Sequence, residues 1–140
     1  MRLRVAFIGV LAATVVAACG SDSAASPTAA TLAGTYDLQT VNGSSLPYVL
    51  LQSETKSVTI LDDHIVIADG GTWSEGGTVR VVTNGVTTTE VSTDAGTWVR
   101  SGDGIVLHST TADLTAYSGT FTSTSLSLTD DVPVSLVFRR

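Results

Sequence analysis

Val79-Arg80-Val81-Val82-Thr83-Asn84-Gly85-Val86-Thr87-Thr88-Thr89 decides the fold. Two β-branched runs flank an Asn-Gly pair. Asparagine and glycine both tolerate positive φ, which a type I′ turn needs at its two central positions, so the stretch predicts a tight hairpin. Valine and threonine suit a pleated, half-buried surface. The same chemistry continues on both sides. From Thr31 to Arg140 no window of a dozen residues carries an apolar stripe of helical period, and turn signals recur at short intervals. Asp62-Asp63, Ser74-Glu75-Gly76-Gly77, Ser101-Gly102-Asp103-Gly104 and Asp130-Asp131 read as turns. Asn42-Gly43 resembles the Asn84-Gly85 turn, but it runs on into Ser44-Ser45, so either a tight turn or a longer loop fits.

Candidate strands cover 34–41, 46–51, 56–61, 64–68, 71–74, 78–83, 86–92, 96–100, 104–109, 115–121, 124–129 and 132–139, some of them two parts of one strand. Strand period two sorts their faces. Val132, Val134, Leu136 and Phe138 share one face, as do Leu126 and Leu128. Ile105 and Leu107 oppose Val106 and His108, and Val58 and Ile60 are expected to face with Ile65 and Ile67. The expected fold is all-β: an antiparallel up-and-down meander closing into a small barrel.

The N-terminus has a different character. Arg2 and Arg4 precede an uncharged apolar run from Val5 to Ala18, which ends in Ala17-Ala18 before Cys19. This is the architecture of a secretory signal, and 14 apolar residues fall short of the ~20 a membrane helix needs. Residues 20–31, Gly-Ser-Asp-Ser-Ala-Ala-Ser-Pro-Thr-Ala-Ala-Thr, are small and polar, as in a flexible tether. The expected organisation is a signal peptide over 1–18, a cysteine and linker over 19–31, and a β domain over 32–140.

Cys19 at the cut point resembles the lipobox of bacterial lipoproteins. The resemblance implies a diacylglycerol thioether on its sulfur, cleavage before it, and a fatty acyl group, such as palmitate, on the new amino terminus. It also implies a lipid-anchored place in the cell envelope, at the outer membrane in a Gram-negative host, because Gly20 rather than Asp follows the cysteine. Two or three acyl chains, at about 0.8 kcal/mol per buried methylene, hold a protein stably where one does not. Cys19 is the sole cysteine, so no disulfide staples the domain.

After residue 18 the side chains number five basic (Lys56, Arg80, Arg100, Arg139, Arg140) against 13 acidic, a formal charge of −8. Such a surface repels nucleic acid and anionic headgroups, so no nucleic-acid partner is expected.

A Gly-Thr-aromatic unit occurs four times: Gly34-Thr35-Tyr36, Gly71-Thr72-Trp73, Gly96-Thr97-Trp98 and Gly119-Thr120-Phe121. Its uneven spacing excludes a propeller or solenoid. Glycine would allow a bulge or close strand crossing, with the ring covering the gap. These units, with Ala33-Gly34-Thr35-Tyr36-Asp37-Leu38 and Val41-Asn42-Gly43-Ser44-Ser45-Leu46-Pro47, resemble bacterial lipocalin-like lipoprotein domains over roughly residues 31–140. The resemblance implies a lipocalin-like barrel whose first and last strands pair. Tyr36 stands where that family prefers tryptophan, and no C-terminal helix is visible. An arginine of Arg139-Arg140 is expected to stack on Tyr36.

Catalysis finds little support. No Gly-x-Ser-x-Gly elbow exists, and His64 and His108 carry no local signature. Asp62-Asp63 and Asp130-Asp131 read as turn chemistry rather than paired catalytic carboxylates. Asp62-Asp63-His64 with His108 is the one arrangement that could hold a metal, and a solvated histidine is the favoured reading. No enzyme activity, cofactor or metal is expected. An eight-stranded barrel can be filled by side chains or hold one small ligand. The expected function is therefore binding of a small apolar ligand, with Tyr36, Trp73, Trp98 and Phe121 as candidate lining. The alternative is a filled barrel with a structural role or an envelope protein partner. An apolar cavity above about 300 Å³ would favour the carrier.

Overall fold

A computed structural model describes residues 31–111, 116–130 and 133–140. The expected signal peptide, Cys19, the expected tether up to residue 30, Thr115, Asp131 and Val132 lie outside the described residues. Among the described residues are ten strands and no helix. They are β1 (Gly34–Val41), β2 (Ser44–Ser45), β3 (Tyr48–Gln52), β4 (Lys56–Ile67), β5 (Thr72–Thr83), β6 (Val86–Ser101), β7 (Gly104–Ser109), β8 (Ala116–Phe121), β9 (Ser125–Thr129) and β10 (Ser135–Arg139). All pairings are antiparallel. From β4 to β10 each strand pairs with the next, β10 pairs with β1, and β1 pairs with β4. The meander thus closes into an eight-stranded barrel, with β2 and β3 outside the closed ring.

Closure is complete at one end only. Gly34 to Asp37 of β1 run against Ile67 to His64 of β4. Beyond Asp37 the two strands part. β1 pairs with β2 through Thr40 and Val41, while the first half of β4 pairs with β3. The chain enters the barrel at the sealed end, which also holds the β6–β7 turn and Arg140. The open end holds β2, β3 and the β5–β6 hairpin.

Three long strands absorb six sequence segments. The expected breaks at Asp62-Asp63 and Ser74–Gly77 are not turns: both lie inside continuous 12-residue strands. What looked like a turn in β4 is a bulge, where the register slips between Ile60 and Asp62. The extra residue, Leu61, switches the inward parity from even (Ile60) to odd (Asp63, Ile65, Ile67). This is how Ile60 and Ile65 can share a face despite their odd spacing. In β5, Glu75, Gly76 and Gly77 each have ladder partners on both sides. Of its two sequence readings, Asn42-Gly43 takes the tight turn. Asn42 (φ 50°) and Gly43 (φ 79°) form a two-residue turn, as Asn84 (φ 49°) and Gly85 (φ 81°) do in the β5–β6 hairpin.

The core fills the sealed half and runs on along β1 to Val41 at the open end. Tyr36, Val41, Leu107, Leu126 and Phe138 have essentially no exposure, and Ile65, Ile67, Trp73, Ile105, Phe121 and Leu128 have almost none. Tyr36 donates its hydroxyl to Leu32 O at 2.7 Å. Trp73 meets Tyr117 edge to face at 5.8 Å.

Two glycines of the repeated unit mark close strand approaches. A Cβ on Gly96 would lie 1.8 Å from His108 O, and one on Gly119 would lie 1.8 Å from Ser127 O. The Trp73 indole covers Gly96, and its N–H reaches Thr97 O (3.1 Å) and His108 O (3.3 Å). Two arginines cap rings at the sealed end: Arg140 over Tyr36 at 5.2 Å, as expected, and Arg100 over Phe121 at 4.6 Å. Arg140 also donates to Ala33 O, Thr31 O and Ser123 O at 2.7–2.8 Å, tying the segments before β1, between β8 and β9, and after β10 to one seam.

Candidate functional site: an acid-lined cavity at the open end

The open half of the barrel contains a cavity of about 180 Å³. Its lining is mixed: Leu38, Leu50, Ile60, Val79, Val134 and Leu136 are apolar, and Asp62, Asp63, Glu75, Ser92, Tyr117 and Asp130 are polar. The two kinds share strands, Ile60 with Asp63 on β4 and Glu75 with Val79 on β5.

Strand parity places these acids. On β5, Trp73, Glu75, Gly77 and Val79 alternate inward, so Glu75 sits between a buried ring and a buried glycine. On β4, the Leu61 bulge brings Asp63 onto the face of Ile65 and Ile67. Gly77 lies across the ladder from Asp63, where a Cβ would stand 2.8 Å from Asp62 O and 3.1 Å from Asp63 Cγ. The glycine therefore admits the close approach of the bulged β4 backbone together with the Asp63 carboxyl. Asp130 continues the inward parity of Leu126 and Leu128. Asp94 pairs across the ladder with Glu75 and is 7% exposed. Its Oδ1 accepts from Ala95 N (2.7 Å), Ser109 Oγ (2.7 Å) and Thr111 Oγ1.

The electrostatics follow from this crowding. Asp63 and Glu75 share a side-chain hydrogen bond. Burial pushes Glu75 up to about 8, and the charge of Asp63, the shared bond and the charge of Asp94 add to the effect. Burial also raises Asp63, while the bond from Glu75 and the backbone at His64 pull it back. At neutral pH, Glu75 is thus the proton donor and Asp63 the acceptor. Burial holds the Tyr117 phenol above its ordinary range, and Glu75 and Asp94 hold it further up. Among the described residues three buried carboxylate oxygens have no hydrogen-bond partner: Asp63 Oδ1, Asp94 Oδ2 and Asp130 Oδ1. Unmet acceptors of this kind carry a desolvation cost that a donor would relieve.

The residues expected to line a binding mouth are elsewhere. Tyr36, Trp73 and Phe121 are packed into the sealed half. Trp98 is half-buried, with its indole N–H on Ala68 O at 3.0 Å. None of the four lines this cavity. His64 and His108 are exposed, on β4 and β7, with β5 and β6 between them in the sheet. Among the described residues no group of three His, Cys, Asp or Glu is arranged to hold a metal ion.

Sequence reasoning missed the acids because each sat beside a turn signal. Asp63 adjoins another aspartate, Glu75 precedes a Gly-Gly pair, and Asp130 precedes Asp131. A usable signal was present in the parity of Trp73, Glu75, Gly77 and Val79. No protein-family model and no curated protein matches the chain.

Proposed function

We propose that this chain is a lipid-anchored envelope lipoprotein whose lipocalin-like barrel binds a small ligand at its open end, without catalysis. The observation that carries the binding reading is a cavity lined by both apolar and acidic side chains at the open end of a barrel whose sealed half is packed with buried rings and aliphatic residues. The anchor rests on Cys19 and the signal architecture before it. Residues 20–31 reach on the order of 20 Å as a flexible linker. They join the barrel at Thr31, at the sealed end, so the cavity opens away from the point of attachment.

The cavity sets the scale of the ligand. At about 180 Å³ and ~30 Å³ per water it holds about six waters, and it falls short of the ~300 Å³ apolar cavity that would favour a carrier of apolar ligands over the filled barrel. A fatty acid does not fit, so the ligand is a short amphiphile. The rival reading, a filled barrel that meets a protein partner, draws on β3. Val49, Leu50 and Leu51 are each about half exposed on a strand with a free edge.

The anchor is tested by Cys19→Ser and membrane fractionation. The variant is expected in the soluble fraction with the far-ultraviolet signature of an intact β domain. A variant that stays with the membrane overturns the lipid anchor. Binding is tested by calorimetric titration of the full chain with short alcohols, acids and amines. No saturable heat from any of them leaves the filled barrel as the reading.

A further inference from the structure

We propose that Asn84, at the tip of the β5–β6 hairpin, is a site of spontaneous deamidation, while Asn42, in the same dipeptide and the same kind of turn, is shielded from it by its hydrogen bonds. The proposal is independent of what the cavity binds.

The chemistry is that of an asparagine followed by glycine. The Gly85 backbone nitrogen, having lost its proton to water, attacks Asn84 Cγ. A bond forms between that nitrogen and Cγ, the Cγ–Nδ2 bond breaks, and Nδ2 leaves as ammonia after taking a proton from water. Water then adds at either carbonyl carbon of the cyclic succinimide and breaks the ring C–N bond there. The product is an aspartate at position 84, or an isoaspartate in which the chain runs through the side chain. Nothing is oxidised or reduced, and water is the only co-reactant. Glycine obstructs the attack least, because it has no Cβ.

The chain has two asparagines, each followed by glycine, so the fold supplies its own comparison. Their backbones are nearly the same, with φ of 50° and 79° at Asn42-Gly43 against 49° and 81° at Asn84-Gly85. Both asparagines are exposed, and a Cβ on either glycine would meet nothing within 4 Å. Access therefore does not separate them. Their side-chain amides do. Asn42 Nδ2 donates to the Tyr48 hydroxyl at 3.1 Å, and Asn42 Oδ1 accepts from Ser135 N at 2.9 Å. The Asn42 backbone N–H adds a bond to Ser135 O at 2.7 Å. The whole carboxamide is thus fixed to β3 and to the start of β10. Among the described residues, neither Oδ1 nor Nδ2 of Asn84 has a hydrogen-bond partner. Its backbone N–H bonds to Thr55 O at 2.8 Å, which leaves the reacting atoms unheld.

Closing the ring swings the side chain toward the following peptide, so the turn must open locally. Opening costs least where the flanking strands have fewest partners. Among the described residues, β6 has β5 alone beside it from Val86 to Thr93, whereas Val41 of β1 pairs with both Ser44 and Leu136. The change stays at the hairpin tip, beyond the barrel rim, and the ammonia does not return. The deamidated fraction therefore records the age of a chain whose packed half is untouched.

The test holds the full chain in buffer at physiological pH and temperature and maps it over time by peptide mass spectrometry, which reads the replacement of NH2 by OH at each position. The urea-unfolded chain is the reference, in which the two sites are expected to react at similar rates. In the folded chain both amide bonds of Asn42 must break before attack, so position 42 is expected to react roughly tenfold or more slowly than position 84. Tyr48→Phe keeps the ring and removes the acceptor of Asn42 Nδ2. It is expected to speed position 42 severalfold and to leave position 84 unchanged. Equal rates at the two positions in the folded chain overturn the proposal, as does an Asn84 that reacts only when the chain is unfolded. An unchanged rate at position 42 in Tyr48→Phe overturns the shielding by hydrogen bonds.

Discussion

The two ends of this barrel use the same strands for opposite purposes. At the sealed end, inward positions hold Tyr36, Ile67, Phe121 and Phe138, and arginines lie over two of the rings. At the open end the same inward parity delivers Asp63, Glu75 and Asp130. Along β5 the change takes two residues, from Trp73 to Glu75. Along β4 it takes one bulge. A strand repeats its faces every two residues whatever their chemistry, so the pleat that seals one end exposes acids to a cavity at the other. The difference teaches that closure and burial separate here. β1 meets β4 only through Asp37, and past that point the barrel keeps inward-facing positions but loses the strand that would cover them.

The largest effect should come from the sealed half. Gly119→Ala puts a methyl 1.8 Å from Ser127 O, where only backbone movement can relieve the clash. A loss of roughly 3 kcal/mol or more is expected, at the high end for overpacking. A urea titration checks it. A loss under about 1 kcal/mol would mean that β8 and β9 can part freely, and the sealed end would not be the rigid half.

Arg140→Met comes next. It keeps the apolar stem over Tyr36 and removes the guanidinium with its bonds to Thr31, Ala33 and Ser123. These contacts are exposed, so a loss of about 1–2 kcal/mol is expected. Hydrogen exchange should rise at residues 31–36 and leave the open end unchanged. Faster exchange throughout the molecule would make the Arg140 seam a global staple rather than a local one.

The open end should respond to pH where the sealed end does not. Glu75 has a folded value of about 8 against 4.5 for the ordinary carboxyl. A raised value means that the folded state holds the proton more tightly than the unfolded state. Its stabilisation is fully present below about pH 4.5 and is lost as pH climbs through about 8, with a slope bounded by ~1.4 kcal/mol per unit. Glu75→Gln removes this dependence. The variant is expected to match the parent near pH 5 and to exceed it by about 1 kcal/mol at pH 9, after discounting for partial exposure. Thermal melts at the two pH values check it. A variant less stable than the parent at pH 9 would place Glu75 in a favourable ionised network and remove the strain argued for the cavity.

Legibility in the sequence followed the same division. The sealed end was readable because its signals agree. Leu126 and Leu128 alternate, Ile105 and Leu107 alternate, and Tyr36 and Arg140 stand on the two strands that close the ring. The open end was misread because its local and global signals conflict. Gly76-Gly77 is strong turn chemistry by composition, yet Gly77 is a strand residue whose missing side chain admits the bulged β4 backbone together with Asp63. The Leu61 bulge cannot be seen without the partner strand, since only the register against β5 reveals the extra residue. Cavities are harder still, because they depend on where neighbouring strands stop.

The smallest effect should fall on the open end's outer edge. Beyond the barrel rim, among the described residues, Val86 to Thr93 of β6 pair with β5 alone, and β7 joins β6 from Gly96 onward. Val91 is 77% exposed on this free edge, beside Glu90. An exposed valine contributes little burial, and threonine keeps the β-branched shape that the strand prefers. Val91→Thr should therefore change stability by less than about 0.5 kcal/mol, measured as the urea midpoint at constant slope. A larger loss, growing with protein concentration, would mean that Val91 is covered in solution by another chain. The open end would then be an assembly edge as well as a cavity mouth, and the contrast between a packed end and a solvent-facing end would hold only for the single chain.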